Sequence, residues 1–183
     1  MKVSIIDTPG GNIGSVKSWL ERSDFKPLLI NNPEQIDDTD LLVFPGNGTF
    51  NSTLNWLSKT GLKEKIKNYV FKKKYFIGIC MGMHIMFDKG EEGGECQGLG
   101  ILPGFVEKLN DVRIGWEKVE FSENNLSLKS DFYFMHSYGV CNKNKVCKKS
   151  IIFNNAFLFQ FHPEKSGPSG DDVLKQIKKI IYV

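Results

Sequence analysis

Blocks of apolar and polar residues divide the chain into short elements. "VSIID" (3–7) is a brief apolar run, and the "TPGGNIG" cluster after it reads as a turn. "SVKSWLER" (15–22) spaces its apolar residues as a helix does, so the chain opens strand, turn, helix. "PLLI" (27–30) and "LLVF" (41–44) predict two further strands, separated by the polar "NNPEQIDDTD". The second of these is apolar nearly throughout, as a strand covered on both faces demands, and it runs into "PGNG" (45–48). "TGLKEKIKNYVFKKK" (60–74) predicts an amphipathic helix with lysines at its C-terminal end, where cations suit the dipole. "YFIGI" (75–79) predicts a fourth strand and "MGMHIMFD" (81–88) a helix.

This alternation predicts an α/β fold: three layers, with a mixed, mostly parallel sheet and helices on both faces. The second half changes character. "FVEKL" (105–109), "EKVEF" (117–121), "DFYFMHSY" (131–138) and "AFLFQF" (156–161) predict strands added antiparallel to that sheet. "GDDVLKQIKKIIYV" (170–183) predicts a closing helix, with Asp171 and Asp172 in its first turn. Val173, Leu174, Ile177, Ile180 and Ile181 share one face of it. With no repeat, linker or low-complexity segment, residues 1–183 are expected to form one domain.

Composition adds exclusions. The longest uncharged apolar stretches, about 13 residues, are too short to span a bilayer. Asp7 interrupts the apolar N-terminus, so no signal peptide is read and a cytoplasmic location is expected. The net charge of +3 comes from local lysine clusters without interleaved aromatic residues. Neither nucleic acid nor membrane is therefore an expected partner. Of the four cysteines, Cys141 and Cys147 lie in a polar stretch at no common zinc spacing, and are expected as free thiols in a reducing compartment.

The candidate chemistry starts at Cys80, in "GICMG", where a buried strand meets a helix. A parallel sheet binds ligands beyond the C-terminal ends of its strands. A tight strand-to-helix turn exposes a nucleophile there if small neighbours, here Gly78 and Gly82, allow it. A base is also needed. His84 stands one turn along the same helix and would point along it; His136 sits in "YFMHSY". His162 ends "AFLFQF", with Pro163 to fix the backbone and Glu164 close enough to orient the imidazole. Cys80, His162 and Glu164 then make an acyl-transfer set. Gly46, Asn47 and Gly48 put backbone N–H groups beside it for an oxyanion. Cys80, His84 and His162 lack a fourth ligand motif for zinc, so no metal and no cofactor is expected.

"PGNG", "GICMGMH" and "FQFHPEKS" together resemble the class I (triad) glutamine amidotransferases. "IIDTPGGNIGSV", "GLGILPGFVEKL", "RIGWEKV" and "FYFMHSY" are similar, in order, to segments of the glutaminase subunits of imidazole glycerol phosphate synthase. The resemblance implies that Cys80 attacks the side-chain amide of glutamine, His162 relays the proton and Glu164 orients it. It places Gly46, Asn47, Gly48 and Met81 at the oxyanion and His84, His136, Ser137 and Tyr138 along the substrate. It places Asn12, Trp116 and Lys165 near a (β/α)8-barrel synthase subunit, which receives the ammonia within a heterodimer of histidine biosynthesis.

There are departures. The family usually carries glutamine at position 84, where histidine brings a titratable charge and a grip on glutamine expected to vary with pH. Asn47 replaces a small apolar residue, and the chain is short around 109–115. Two alternatives follow: a paralogous glutaminase supplying ammonia for acetamidino-sugars of surface polysaccharides, or a non-catalytic docking subunit.

Overall fold

The computed structural model describes residues 1–142 and 147–182. In chain order the elements are β1 (Val3–Ile6), α1 (Ile13–Glu21), β2 (Leu28–Ile30), β3 (Leu41–Phe44), α2 (Phe50–Lys59), α3 (Leu62–Phe71), β4 (Tyr75–Ile79) and α4 (Met81–His84). There follow β5 (Phe87–Gly90), β6 (Cys96–Gln97), β7 (Leu102–Glu123), β8 (Leu126–Gly139), β9 (Ser150–Phe153), β10 (Ala156–Phe159) and α5 (Gly167–Ile181). Six strands form a sheet in the order β2-β1-β3-β4-β10-β9, parallel except for β9.

Period-two alternation sends neighbouring residues to opposite faces, and helices cover both. Ile5, Val43, Ile77 and Ile79 pack with Val16, Trp19 and Leu20 of α1 and Val173, Leu174 and Ile177 of α5. Ile6, Leu42, Phe44 and Phe76 pack with Phe50, Leu54 and Leu57 of α2 and Leu62, Ile66 and Val70 of α3. The Trp19 indole donates to the carbonyl of Gly170 at 2.9 Å, which ties α1 to α5. Among the described residues no helix is long and apolar enough to cross a membrane.

The second half departs from expectation. Residues 105–109 and 117–121 belong to one long strand, β7, which pairs antiparallel with β8. With β5 and β6 they build a separate four-stranded sheet. β10 does join the first sheet, but parallel to β4. Instead of running to residue 88, helix α4 stops at His84. The carbonyls of Ile85, Met86 and Phe87 are taken by the N–H groups of Leu99, Ile101, Leu102 and Gly100, which pulls the chain into β5. Sequence pattern did not reveal α2, where Thr49 and Ser52 form a capping box ahead of buried Phe50, Leu54 and Leu57. The closing helix starts a turn earlier than expected, and Val183 lies outside the described residues. Cys141 and Cys147 are a disulfide rather than free thiols: the two residues face each other across an antiparallel bridge, 3.8 Å apart at Cα.

Candidate active site

Strands β3, β4 and β10 lie side by side, with Phe44 level with Gly78 and Ile79 level with Phe159. The segments that leave their C-terminal ends, 45–48, 80–84 and 160–164, therefore emerge together. Cys80 sits on the turn between β4 and α4 with φ 47° and ψ −97°, a strained conformation for a residue with a side chain. Its N–H donates to the Phe159 carbonyl at 2.7 Å and its carbonyl accepts from Met83 and His84, which holds the turn. The glycines on either side are required sterically. A Cβ at Gly78 would lie 2.5 Å from the Gly82 carbonyl oxygen, and one at Gly82 would lie 2.6 Å from that of Phe44.

His162 is fixed by its own backbone. Its N–H donates to the Tyr133 carbonyl at 2.8 Å, and its carbonyl accepts the Ser166 hydroxyl at 2.7 Å. Pro163 opens a short 3-10 turn (Pro163–Lys165) that brings Glu164 back, so that Glu164 Oε1 lies 2.8 Å from His162 Nδ1. Both side chains are buried. Burial opposes charge on the imidazole, but the neighbouring Cys80 and the Glu164 carboxylate bound to Nδ1 favour the charged form, outweigh burial and raise the pKa of His162 to about 9. Gly46 packs against both reacting groups: a Cβ there would lie 2.8 Å from Cys80 Cβ and 3.1 Å from His162 Cε1.

The cleft over Cys80 is lined by Gly46, Asn47, Gly48, Met81, His84, His136, Ser137, Tyr138 and His162, so the residues expected at the oxyanion and substrate share one space. Glu164 stands behind His162. The Asn47 amide donates to the carbonyl of Gly10, which braces the glycine loop against the turn before α1. His84 does not simply point along its helix. It reaches across to β10's continuation, where its Nε2 lies 2.7 Å from Gln160 Oε1. Burial there lowers its pKa to about 4, so it is neutral near pH 7. His136 is also pushed down by burial, and its Nδ1–H donates to the Tyr138 carbonyl at 2.8 Å.

None of the three residues expected near a partner lines this cleft. Asn12 caps α1 two residues after Gly10 and accepts the Ser15 hydroxyl at 2.9 Å. Trp116 is exposed on β7, edge-on to Tyr133. Lys165 follows in the turn that holds His162. Sequence reasoning missed three more residues. Met135 and Glu92 line the cleft, the latter with its carboxyl pushed up by burial and accepting the Phe50 N–H at 3.2 Å. Gln160, almost fully buried, donates through Nε2 to Cys80 Sγ at 3.7 Å. A lone polar residue inside "AFLFQF" was the available signal for it; Glu92 lies in a polar loop that offered none.

Residues 19–128 match the family model of the CobB/CobQ-like glutamine amidotransferase domain. The chain is 37% identical to "Imidazole glycerol phosphate synthase subunit HisH" of Prochlorococcus marinus, covering 98% of both chains. It is 35% identical to the protein of that name from Aquifex aeolicus, over 98% of this chain and 97% of the other. Among solved structures it is similar to "Crystal structure of glutamine amidotransferase" (TM-score 0.77, 14% identity, 99% of this chain and 100% of that one). It is also similar to "Structure of PurLQS from Thermotoga maritima" (TM-score 0.75, 18% identity, 98% and 99%). These last two likenesses establish the fold.

Proposed function

The chain belongs to the class I glutamine amidotransferase family, and from that premise we propose that it is the glutaminase subunit of an imidazole glycerol phosphate synthase. The observation that carries the proposal is the Cys80–His162–Glu164 line at the ends of three adjacent strands, in a chain alignable over nearly its full length with synthase subunits.

The geometry supports this sequence of steps. His162 accepts the Cys80 proton, and Glu164 holds the resulting imidazolium in register. The sulfur attacks the δ-carbonyl carbon of glutamine. The oxygen that gains the charge faces backbone N–H groups of Gly46, Asn47 and Gly48, and that of Met81, which as the first residue of α4 has no intrahelical partner. As the C–N bond breaks, His162 returns its proton to the departing ammonia, leaving a thioester on Cys80. His162 then takes a proton from water, which attacks the thioester; glutamate departs and the thiol is restored. Glu92 offers a carboxylate for the substrate's α-ammonium, while Ser137 and Tyr138 bound the other wall.

We place the partner, a (β/α)8-barrel synthase subunit, on the side where Asn12, Trp116 and Lys165 lie, with residues 1–183 acting as one cytoplasmic glutaminase domain. The test is glutamate release from glutamine by the chain alone and with barrel synthases of its own genome, each with its acceptor. Strong stimulation by the histidine-pathway cyclase and its nucleotide is expected. Stimulation only by a sugar-pathway barrel would transfer the protein to acetamidino-sugar formation.

A further inference from the structure

Gln160 leaves the apolar strand β10 and places its amide between two groups of the cleft. Its Nε2 is 3.7 Å from Cys80 Sγ, within reach for a hydrogen bond to sulfur, and its Oε1 is 2.7 Å from His84 Nε2. Gln160 and His84 are each about 1% exposed, so neither amide end has water to fall back on.

The proton positions follow from one fact about sulfur. A thiolate only accepts hydrogen bonds, so the amide end that faces a charged Cys80 is the NH2. The carbonyl end then faces His84, and His84 Nε2 must carry the hydrogen. His84 Nδ1, buried and without a partner among the described residues, is left as a bare acceptor. The opposite arrangement would turn the amide oxygen's dipole against the nucleophile. The nucleophile, the amide and the second imidazole thus have one consistent set of protons.

We propose that Gln160 is a further catalytic residue: it donates an N–H to the Cys80 sulfur, and His84 holds it in that orientation. The proposal rests on Cys80 being the nucleophile of the glutaminase reading. It also gives a reason for the histidine at position 84. A neutral imidazole anchors the amide as a fixed donor, and burial keeps it neutral through the physiological range. The other titratable groups around the cleft are Glu92, His136 and Tyr138, and His162 with Glu164 behind it. None of these is altered in the test.

The sulfur can be read directly, without substrate. The rate of alkylation by iodoacetamide is measured across about pH 5 to 10, since the thiolate is the reacting form. The background is Cys96→Ser, which removes the other free thiol, with Cys80→Ala as the blank. Gln160→Leu removes the donor and is expected to move the profile to higher pH, with alkylation about tenfold slower at pH 7. Gln160→Glu keeps the shape and the acceptor for His84 but sets a carboxylate against the sulfur, and is expected to move it further. His84→Leu, which only frees the amide, is expected to fall between wild type and Gln160→Leu. Profiles of Gln160→Leu and Gln160→Glu that superimpose on wild type would overturn the proposal. If the leucine variant fails to fold, the near-isosteric glutamate variant decides. Glutamate release by the wild type, with each barrel partner, is measured alongside. Shifted profiles without release leave Gln160 in its role and remove the glutaminase reading; release with unshifted profiles does the reverse.

Discussion

At the scale of single residues, His162 connects the site's electrostatics to its rate. Its pKa is raised to about 9, so its interactions with Glu164 and the neighbouring Cys80 contribute stability fully below its unfolded value near 6.5 and lose it as pH rises through about 9. In the proposed mechanism the same proton is given to the leaving ammonia. Glutamine kcat/KM is therefore expected to fall on the alkaline side near pH 9. Glu164→Gln removes one of the charges that hold the pKa up, so that limb should move acidward by about one unit or more. An unmoved limb in the pH–rate profile would show that Glu164 does not set this proton. His84 behaves oppositely. Its depressed pKa, about 4, makes its contribution to stability complete above 6.5 and lost as pH falls toward 4. The pH-dependent grip on glutamine expected from sequence accordingly moves out of the range pH 6 to 8. Urea midpoints measured from pH 6.5 down to 4 should decline less steeply in His84→Gln than in wild type. Gly46→Ala offers a steric test. A Cβ at 2.8 Å from Cys80 Cβ and 3.1 Å from His162 Cε1 forces the pair to shift. Loss of about 10²-fold in kcat is expected, with the melting temperature measured to separate misplacement from unfolding.

At the scale of elements, α2 shows what a local signal contributes. The Thr49 hydroxyl accepts from Ser52 N–H and the Ser52 hydroxyl accepts from Thr49 N–H. Thr49→Ala should cost about 1 kcal/mol in a urea titration, and an unchanged midpoint would mean that the Glu92 carboxylate at Phe50 N–H satisfies this end unaided. That helix was hidden because its polar positions, half-buried Asn51 and exposed Ser52 and Asn55, read as loop, while the decisive pair at 49 and 52 is a weak pattern. The central strands β3 and β4 were legible because they are buried nearly throughout and almost wholly apolar, and the edge strand β2 because it too is apolar although Leu28 and Leu29 are exposed. The proximity of Cys80, His162 and Glu164 was legible because each ends or follows a strand of this sheet. The β5–β8 sheet was not, because its strands pair over long sequence separations with one face exposed, so alternation marks strands without naming their partners. The disulfide was illegible for a related reason: it depends on Cys141 and Cys147 meeting across an antiparallel bridge, which spacing does not disclose.

At the scale of the whole molecule, one face of the β7–β8 hairpin changes character along its length. Past Trp116 it carries Lys118 and Glu120, as a solvated face should. Toward the cleft the same alternate positions are Val112, Ile114 and Trp116, 62%, 68% and 58% exposed, and Met135 lies directly across from Ile114 at 40%. Met135 also lines the cleft, so this apolar stripe reaches the cleft's edge. The opposite face buries Val119, Phe132 and Phe134 against the core, so the hairpin's stability does not need the exposed side chains. Contiguous exposed apolar residues beside a site mark a docking surface. Ile114→Glu would set a charge at the centre of that surface, where a desolvated carboxylate has no partner. The expected outcome is a loss of about 10²-fold or more in affinity for the synthase subunit, seen as lost stimulation in a titration. Glutamate release by the isolated chain should stay within about twofold, because Ile114 touches no reacting atom. Stimulation that survives unchanged would take the partner off this stripe and leave Asn12 and Lys165 as the positions to vary next.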